Sequence, residues 1–297
     1  MSDWSKYFES DKQLVCLVLA HRIRGVNEVV GSAAYLAPGI FITAKHVVEK
    51  AFIDMGMARQ LSMLESDTNV TFEVDLLHVL KDKQLLVWRI GKIHMVPNSD
   101  LAILTAQAID GPLPHEDVDN LPRLTIDLHP PRSGTMMSSL DYVGKLDEAN
   151  VRLEGNKTRH TLVMHDGAGP ITGRHLFERA SSAQPPVIEV PYEILHSMSG
   201  GPSFNHLGYF TGINSAGLAP ETAGDAERSI ISMLWRVVVA PIEIPREGGW
   251  QKTGIMQLNQ EGHIPIRGLD HFTFHEADSA IEWKGDVSCP TCIVSAV

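Results

Sequence analysis

Cysteine is scarce in this chain: there are three among 297 residues, and only Cys289 and Cys292 are close in sequence. This usage excludes the disulfide framework that is typical of small secreted domains, so we expect the thiols to be reduced. The first residues, MSDWSKYFESDKQ, contain no basic segment followed by an apolar core, and we expect no secretory signal there. Both features predict a cytoplasmic location.

Long apolar runs and basic runs are also missing. No apolar stretch approaches the roughly 20 residues needed to span a bilayer, so we expect no membrane partner. The formal net charge is -11, and Lys and Arg never form a run of more than a few residues. Because phosphate binding rewards clustered cations, we expect no nucleic-acid partner. The 43% of hydrophobic and 21% of charged residues are typical of a folded globular protein.

The chain is instead rich in short segments of Val, Ile, Leu and Thr that are separated by turn residues. Those in the first part of the chain are 13–23, 29–48, 70–80, 85–96 and 100–106. Several alternate in polarity, and Ala37-Pro38-Gly39 marks a hairpin within the second, which is the pattern of a β-barrel or sandwich. The Met and Leu spacing over 51–64 favours a short helix with its apolar side towards the core.

The same strand pattern resumes after residues 111–123, which have the proline-rich composition of an exposed linker. It continues through several segments as far as ISMLWRVVVAPI at 231–242. The sequence therefore predicts an all-β protein with a first unit at 1–110, a second at 111–249 and a carboxyl-terminal segment at 250–297.

Three residues could together carry nucleophilic chemistry. Ser199 lies in LHSMSGGPSF, where two glycines and a proline follow it, and a serine hydroxyl needs a base and a group that orients this base. His46 follows a strand-like segment in FITAKHVVE, and Asp100 opens another in PNSDLAIL. Each has a structural interpretation, as a surface histidine, a turn-capping aspartate or a loop serine. Their order and local contexts together favour a catalytic triad.

These motifs resemble those of the chymotrypsin/trypsin-like serine peptidases, nearer the compact, disulfide-free bacterial type. TAKH resembles the family's TAAH, SDLAIL its D-(I/L)-A-(L/V)-L and SMSGGP its G-x-S-G-G-P, while GINSAG (212–217) is similar to the strand after the nucleophile. The resemblance covers about residues 13–245 and implies two six-stranded antiparallel β-barrels with a short carboxyl-terminal extension. It also implies that His46, Asp100 and Ser199 are catalytic.

Further roles follow from the same resemblance. The backbone N–H groups of Ser197 and Ser199 would form the oxyanion hole. Ser215 would support Asp100, and the backbone of its strand, as far as Gly217, would pair with substrate. Counting back from Ser199 places Glu193 near the floor of the specificity pocket, where it would favour Lys or Arg, although a solvated surface glutamate is the alternative.

The function implied is a serine endopeptidase that hydrolyses peptide bonds of a protein substrate through an acyl-enzyme, with no cofactor required. We expect a regulatory protein partner as well, because an unrestrained protease endangers the compartment that holds it. Two departures favour the alternative, a catalytically silent pseudopeptidase scaffold that binds peptides or proteins. Ser197 stands where the family has glycine, and Met198 where the animal enzymes have aspartate.

The carboxyl-terminal segment carries a second pattern outside the resemblance. His271 and His275 lie in HFTFH, and Cys289 and Cys292 lie in CPTC. Two imidazoles and two thiolates can complete a tetrahedral structural zinc site. Alternatively, HFTFH is a strand with its two phenylalanines buried, and CPTC is a redox pair or an incidental turn.

Overall fold

The computed structural model describes residues 14–21, 27–61, 74–80, 85–110, 121–146, 160–176, 184–218, 227–246, 248–275, 280–284 and 293–295. Its first six strands form a closed antiparallel barrel in the order β1-β2-β3-β6-β5-β4. They are β1 (Val15–His21), β2 (Asn27–Ala37), β3 (Ile40–Thr43), β4 (Val74–Val79), β5 (Leu85–Val96) and β6 (Leu101–Asp110). The predicted hairpin joins β2 to β3, with Gly39 at a φ of 72°.

Aromatic side chains fill the interior of this barrel. The Phe41 ring lies between those of Tyr35 and Trp88, with centroid separations of 5.4 and 5.2 Å and edge-to-face geometry in both cases. All three side chains are buried. This core holds rigidly the strands from which the candidate histidine and aspartate emerge.

The first helix begins earlier than the sequence predicted. Helix α1 spans Lys45–Asp54 and directs Val47, Val48, Ala51 and Phe52 into the core. The prediction of a helix over 51–64 therefore overlaps only its last four residues, 51–54, and residues 62–64 lie outside the described ones. The buried pairs, four residues apart, form one face of a helix, but valines in the first turn are equally typical of a continuing strand.

The second part of the chain forms a nine-stranded sheet that curls into a half-barrel. Seven strands follow the order β10-β11-β14-β13-β12-β8-β9, while β7 pairs with β13 and β17 pairs with β7. Its strands are β7 (Ile126–Asp127), β8 (Met136–Leu146), β9 (His160–Pro170), β10 (Gly173–His175), β11 (Val187–Val190), β12 (Pro202–Asn205), β13 (Phe210–Leu218), β14 (Arg228–Met233) and β17 (Ile266–Arg267). The all-β class with a chymotrypsin-like double barrel is thus confirmed, although the second sheet does not close over the described residues.

One predicted strand segment is wrong in part. Residues 231–242 contain the end of β14, a 3₁₀-helix at Leu234–Val239 and the start of β15 (Pro241–Arg246). The 3₁₀-helix buries two adjacent pairs of apolar side chains, 234–235 and 237–238. A strand would direct alternate residues to opposite faces, so burial of both members of each pair overrides the β-propensity of the valines.

The hairpin that leads into the carboxyl-terminal segment packs against the first barrel, and β17 of that segment pairs with the second sheet. Strand β15 forms a hairpin with β16 (Gly249–Gly254), which contains the predicted boundary between 249 and 250. The Glu243 backbone in this hairpin accepts from Thr105 Oγ1 at 2.8 Å and donates to His94 Nε2 at 3.1 Å, both on the first barrel. Helix α2 (Ile255–Gln260) follows and leads to β17.

A small three-stranded sheet ends the described chain, formed by β18 (Phe272–His275), β19 (Ala280–Trp283) and β20 (Ile293–Ser295). Phe272 is buried and Phe274 is partly buried against the core, so the motif is a strand from Phe272 onwards, while His271 belongs to the 3₁₀-helix before it. None of the helices in the described ranges is both long and apolar enough to cross a bilayer.

Candidate active site

His46 and Asp100 meet where α1 begins and β6 begins. The carboxylate accepts from the His46 backbone N–H at 3.1 Å through Oδ1, and its Oδ2 lies 2.8 Å from the imidazole Nδ1. The backbone contact satisfies one of the N–H groups that the first turn of a helix leaves without an intrahelical partner, and it places a negative charge at the positive end of the helix. Asp100 therefore fixes both the position of His46 and the direction of its ring.

Ser215 connects this pair to Ser199. Its hydroxyl donates to Asp100 Oδ2, and its carbonyl oxygen accepts from the Ser199 hydroxyl at 3.4 Å. Within the described residues, no hydrogen bond joins Ser199 to His46. The structure thus brings the four predicted residues to one place, with the Ser199 hydroxyl directed at Ser215 rather than at the imidazole.

The chain enters Ser199 through a 3₁₀-helix at His196–Met198. The Met198 N–H donates to the Leu195 carbonyl at 2.8 Å, and the Leu195 N–H donates to the Met198 sulfur at 3.4 Å. Ser199 follows the last residue of this 3₁₀-helix, so the conformation of residues 196–198 sets the direction of the Ser199 N–H. An oxyanion hole needs that N–H in the cleft.

Hydrogen bonds from both sheets hold the chain after Ser199. The Ser199 carbonyl accepts from the Ser32 N–H of β2 at 2.9 Å, and the Gly200 N–H donates to the Asn214 carbonyl of β13 at 2.8 Å. Gly200 has a φ of 94°, and a β-carbon there would lie 2.0 Å from the Ser32 carbonyl oxygen. Only glycine fits this close approach between the two sheets.

A buried carboxylate lies beneath the turn. Asp141 on β8 is fully buried and accepts from the Ser32 hydroxyl, which also lies 3.2 Å from the Ser197 carbonyl oxygen. A β-carbon on Gly201 would lie 1.8 Å from Asp141 Oδ2. Sequence reasoning missed Ser32 and Asp141, because both are distant in sequence from Ser199 and belong to no motif. Met198 occupies the position where the resemblance implied an aspartate, and this buried carboxylate comes from another strand.

A polar network extends under the site into the second sheet. Ser139 Oγ lies 2.8 Å from the Tyr192 hydroxyl, and both Ser139 and Ser203 donate to Asn214 Oδ1 at 2.7 Å. Burial raises the pKa of Tyr192 to about 12, and its hydrogen bonds to the two serines oppose this rise. Tyr192 is therefore a neutral structural residue at physiological pH.

Glu193 and Gly217, which were predicted to contact substrate, lie apart from these contacts. Glu193 is exposed, between the buried side chains of Tyr192 and Ile194, and this favours the surface interpretation over the pocket floor. Gly217 is exposed on β13, where it pairs with Ser229.

Of the four predicted zinc ligands, the described residues include the side chain of His271 alone. The side chain of His275 and both cysteines, Cys289 and Cys292, lie outside them, so this ligand set stays a prediction. Within the described ranges, His271 instead lies beside His129, with ring centroids 4.8 Å apart.

Known proteins resemble this chain in structure more than in sequence. No family model matches the chain, and no curated protein sequence matches it either. The MamO protease domain from Magnetospirillum magneticum, in its apo form, is similar over 76% of this chain and 95% of its own length, with 14% identity and a TM-score of 0.44. Neuropsin, a serine protease of mouse brain, is similar over 77% of this chain and 92% of its own, with 10% identity and a TM-score of 0.49.

Both neighbours are described as proteases, but with TM-scores below 0.5 they carry no argument about this chain. Its double-barrel architecture rests on its own strands. Its function has to be inferred from the contacts within the chain.

Proposed function

We propose that this protein is a serine endopeptidase whose nucleophile is Ser199, general base His46 and orienting carboxylate Asp100. The observation that carries the proposal is that Asp100 contacts His46 twice, through the backbone N–H at the start of the helix and through the imidazole Nδ1. A carboxylate that merely capped the helix would need only the first contact. The second contact fixes the ring orientation of an imidazole whose side chain is 42% exposed.

The proton transfers follow from this orientation. With Nδ1–H donated to Asp100, the lone pair is on Nε2, so the imidazole can act as a base. The Ser199 hydroxyl would rotate from the Ser215 carbonyl to Nε2 and attack the substrate carbonyl as His46 takes its proton. His46 then gives this proton to the leaving amine, and water hydrolyses the acyl-enzyme by the reverse sequence.

The 3₁₀-helix before Ser199 would affect the oxyanion hole in this reaction. An oxyanion donor contributes about 3–4 kcal/mol to the transition state, and the direction of the Ser199 N–H depends on the conformation of residues 196–198. We propose that bound substrate or a regulatory protein shifts residues 196–198 into an arrangement that directs this N–H into the cleft.

The alternative of a silent, peptide-binding scaffold is favoured by one observation. The Ser199 hydroxyl bonds to the Ser215 carbonyl and not to His46. If residues 196–198 never shift, the cleft would hold a peptide without cleaving it. The ligand would be a protein or a peptide in either case, while the cytoplasmic location stays a prediction.

A fluorophosphonate that traps activated serines tests the proposal. Intact mass should show one adduct on the wild type, none on Ser199→Ala and strongly slowed labelling of His46→Ala. Ser133→Ala removes an exposed serine from a surface turn and should label like the wild type. If the folded wild type gives no adduct, alone or with candidate peptides and partner proteins, the proposal is wrong and the scaffold remains.

A further inference from the structure

A second group of reactive side chains lies outside the candidate active site. Strands β7 and β17 run parallel, with Ile126 opposite Ile266 and Asp127 opposite Arg267. Their pairing continues as the Leu128 N–H donates to the Arg267 carbonyl at 3.1 Å. Since parallel strands end on the same side, the residues that follow them meet there. These are His129 after β7, and Asp270 and His271 in the 3₁₀-helix Leu269–His271 after β17.

The ligand atoms of His129, Asp270 and His271 all lie within 4.8 Å of one another. Gly268 allows this approach: its φ is 76°, and a β-carbon there would lie 2.9 Å from His129 Nδ1. In a tetrahedral site with bonds of about 2.1 Å, ligand atoms lie about 3.4 Å apart. Side-chain rotation would have to close the remaining gap, and the exposed Asp270 has the freedom to move.

The His129 ring is already oriented for such a role. Its Nδ1 is hydrogen-bonded to Asp127, a buried carboxylate that also accepts from the His129 backbone N–H at 3.1 Å and from Asn205 Nδ2 at 2.6 Å. An imidazole that donates Nδ1–H to a carboxylate carries its lone pair on Nε2. Metal-binding histidines almost always have a partner of this kind, which fixes the tautomer and increases the basicity of the ligand.

The other two side chains are available as ligands. Within the described part of the chain, neither the Asp270 carboxylate nor the His271 ring makes a hydrogen bond. Lys284 Nζ is 3.5 Å from the main-chain oxygen of Asp270, so this contact leaves the carboxylate oxygens free to bind. Two imidazoles and one carboxylate suit Zn²⁺ and similar divalent transition metals, with the remaining position open to water or a further ligand.

We propose that His129, Asp270 and His271 bind one divalent transition-metal ion, with Zn²⁺ as the reference ion. The ion would join the carboxyl-terminal segment to the second sheet where β7 and β17 end. This ligand set shares only His271 with the one predicted from HFTFH and CPTC. The proposal does not depend on the peptidase chemistry, because none of its three ligands contacts the triad residues in the described structure.

The test is titration of the full chain with ZnCl₂ alone, after chelation and desalting, followed by calorimetry and metal analysis. We expect one ion per chain and a rise in the melting temperature on binding. Asp270→Asn and His271→Ala should each weaken binding at least about 100-fold, since the loss of a supporting partner alone typically costs 10- to 100-fold. His263→Ala is the matched control, because it removes an exposed histidine of the same segment.

A further variant separates this site from the one predicted from the sequence. Cys289→Ser/Cys292→Ser should bind Zn²⁺ like the wild type. The proposal is overturned if the wild type takes up no ion, if the cysteine variant loses it, or if Asp270→Asn and His271→Ala bind as tightly as the control. Asp270 is exposed, so Asp270→Asn tests the site even if another variant fails to fold.

Discussion

Replacing Gly201 with alanine would test the role of the buried Asp141 carboxylate beneath Ser199. The added β-carbon would lie 1.8 Å from Asp141 Oδ2. An ordinary contact needs about 3.4 Å, so the carboxylate has to move by more than an ångström and lose its hydrogen bond from Ser32. We expect a cost of about 1.5–3 kcal/mol for the hydrogen bond to a charged group and about 1–3 kcal/mol for overpacking. The free energy of unfolding should fall by roughly 2.5–6 kcal/mol in total.

A double-mutant cycle measured by urea unfolding shows whether the contact with Asp141 causes this loss of stability. In an Asp141→Ala background the clash is absent, so Gly201→Ala should cost less than about 1 kcal/mol there. The control is Gly254→Ala, where the nearest atom to the new β-carbon is 3.9 Å away, so overpacking is absent and the loss of the helix N-cap glycine should cost about 1 kcal/mol or less. An equal cost of Gly201→Ala in both backgrounds would refute the reasoning, because the strain would then lie in the backbone.

Three further changes test the contacts around the site. Asp100→Asn should slow fluorophosphonate labelling on the order of 10⁴-fold, because the amide favours the wrong imidazole tautomer; a change below tenfold would remove Asp100 from the triad. Ser215→Ala removes a hydrogen bond to a charged group worth about 1.5–3 kcal/mol, so labelling should slow roughly 10- to 100-fold. The pKa of Tyr192 is about 12 in the folded chain against an ordinary 10, so the unfolded chain loses its proton first as the pH rises. The contribution of Tyr192 to the free energy of unfolding is therefore complete below pH 10 and falls by roughly 3 kcal/mol towards pH 12. Urea unfolding from about pH 9 to about pH 11.5 should show that the free energy of unfolding falls less steeply with pH in Tyr192→Phe than in the wild type. An equal dependence on pH in both proteins would contradict the raised pKa of Tyr192.

The strands of the first barrel could be predicted well from the sequence, and the reason is local. Each has alternating or continuous apolar residues that are ended by turn residues, and Gly39 adopts the positive φ that its turn requires. Residues 234–239 could not be predicted, because a run of valines favours a strand wherever packing does not intervene. Here the burial of Trp235 against Phe272, with ring centroids 5.1 Å apart, depends on a segment more than thirty residues away in sequence.

In the candidate site, too, some residues could be predicted from the sequence and others could not. His46, Asp100 and Ser199 could be predicted because each lies in a short motif. Ser32 and Asp141 could not, since their role depends on two sheets meeting and not on spacing along the chain. The same holds for His129, although the Asp-Leu-His order at 127–129 was a weak signal, since a carboxylate two residues away can orient an imidazole.

The contacts around Ser199 also indicate where a regulator of the proposed peptidase would act. Downstream, the Ser199 carbonyl and the Gly200 N–H are held by backbone hydrogen bonds from both sheets. Upstream, the Met198 N–H donates to the Leu195 carbonyl, the Leu195 N–H donates to the Met198 sulfur, which is a weak acceptor, and the Ser32 hydroxyl lies 3.2 Å from the Ser197 carbonyl oxygen. A ligand that changes the conformation of residues 196–198 would have to break these upstream contacts. The downstream hydrogen bonds would keep the Ser199 backbone in place, because they come from strands on both sides.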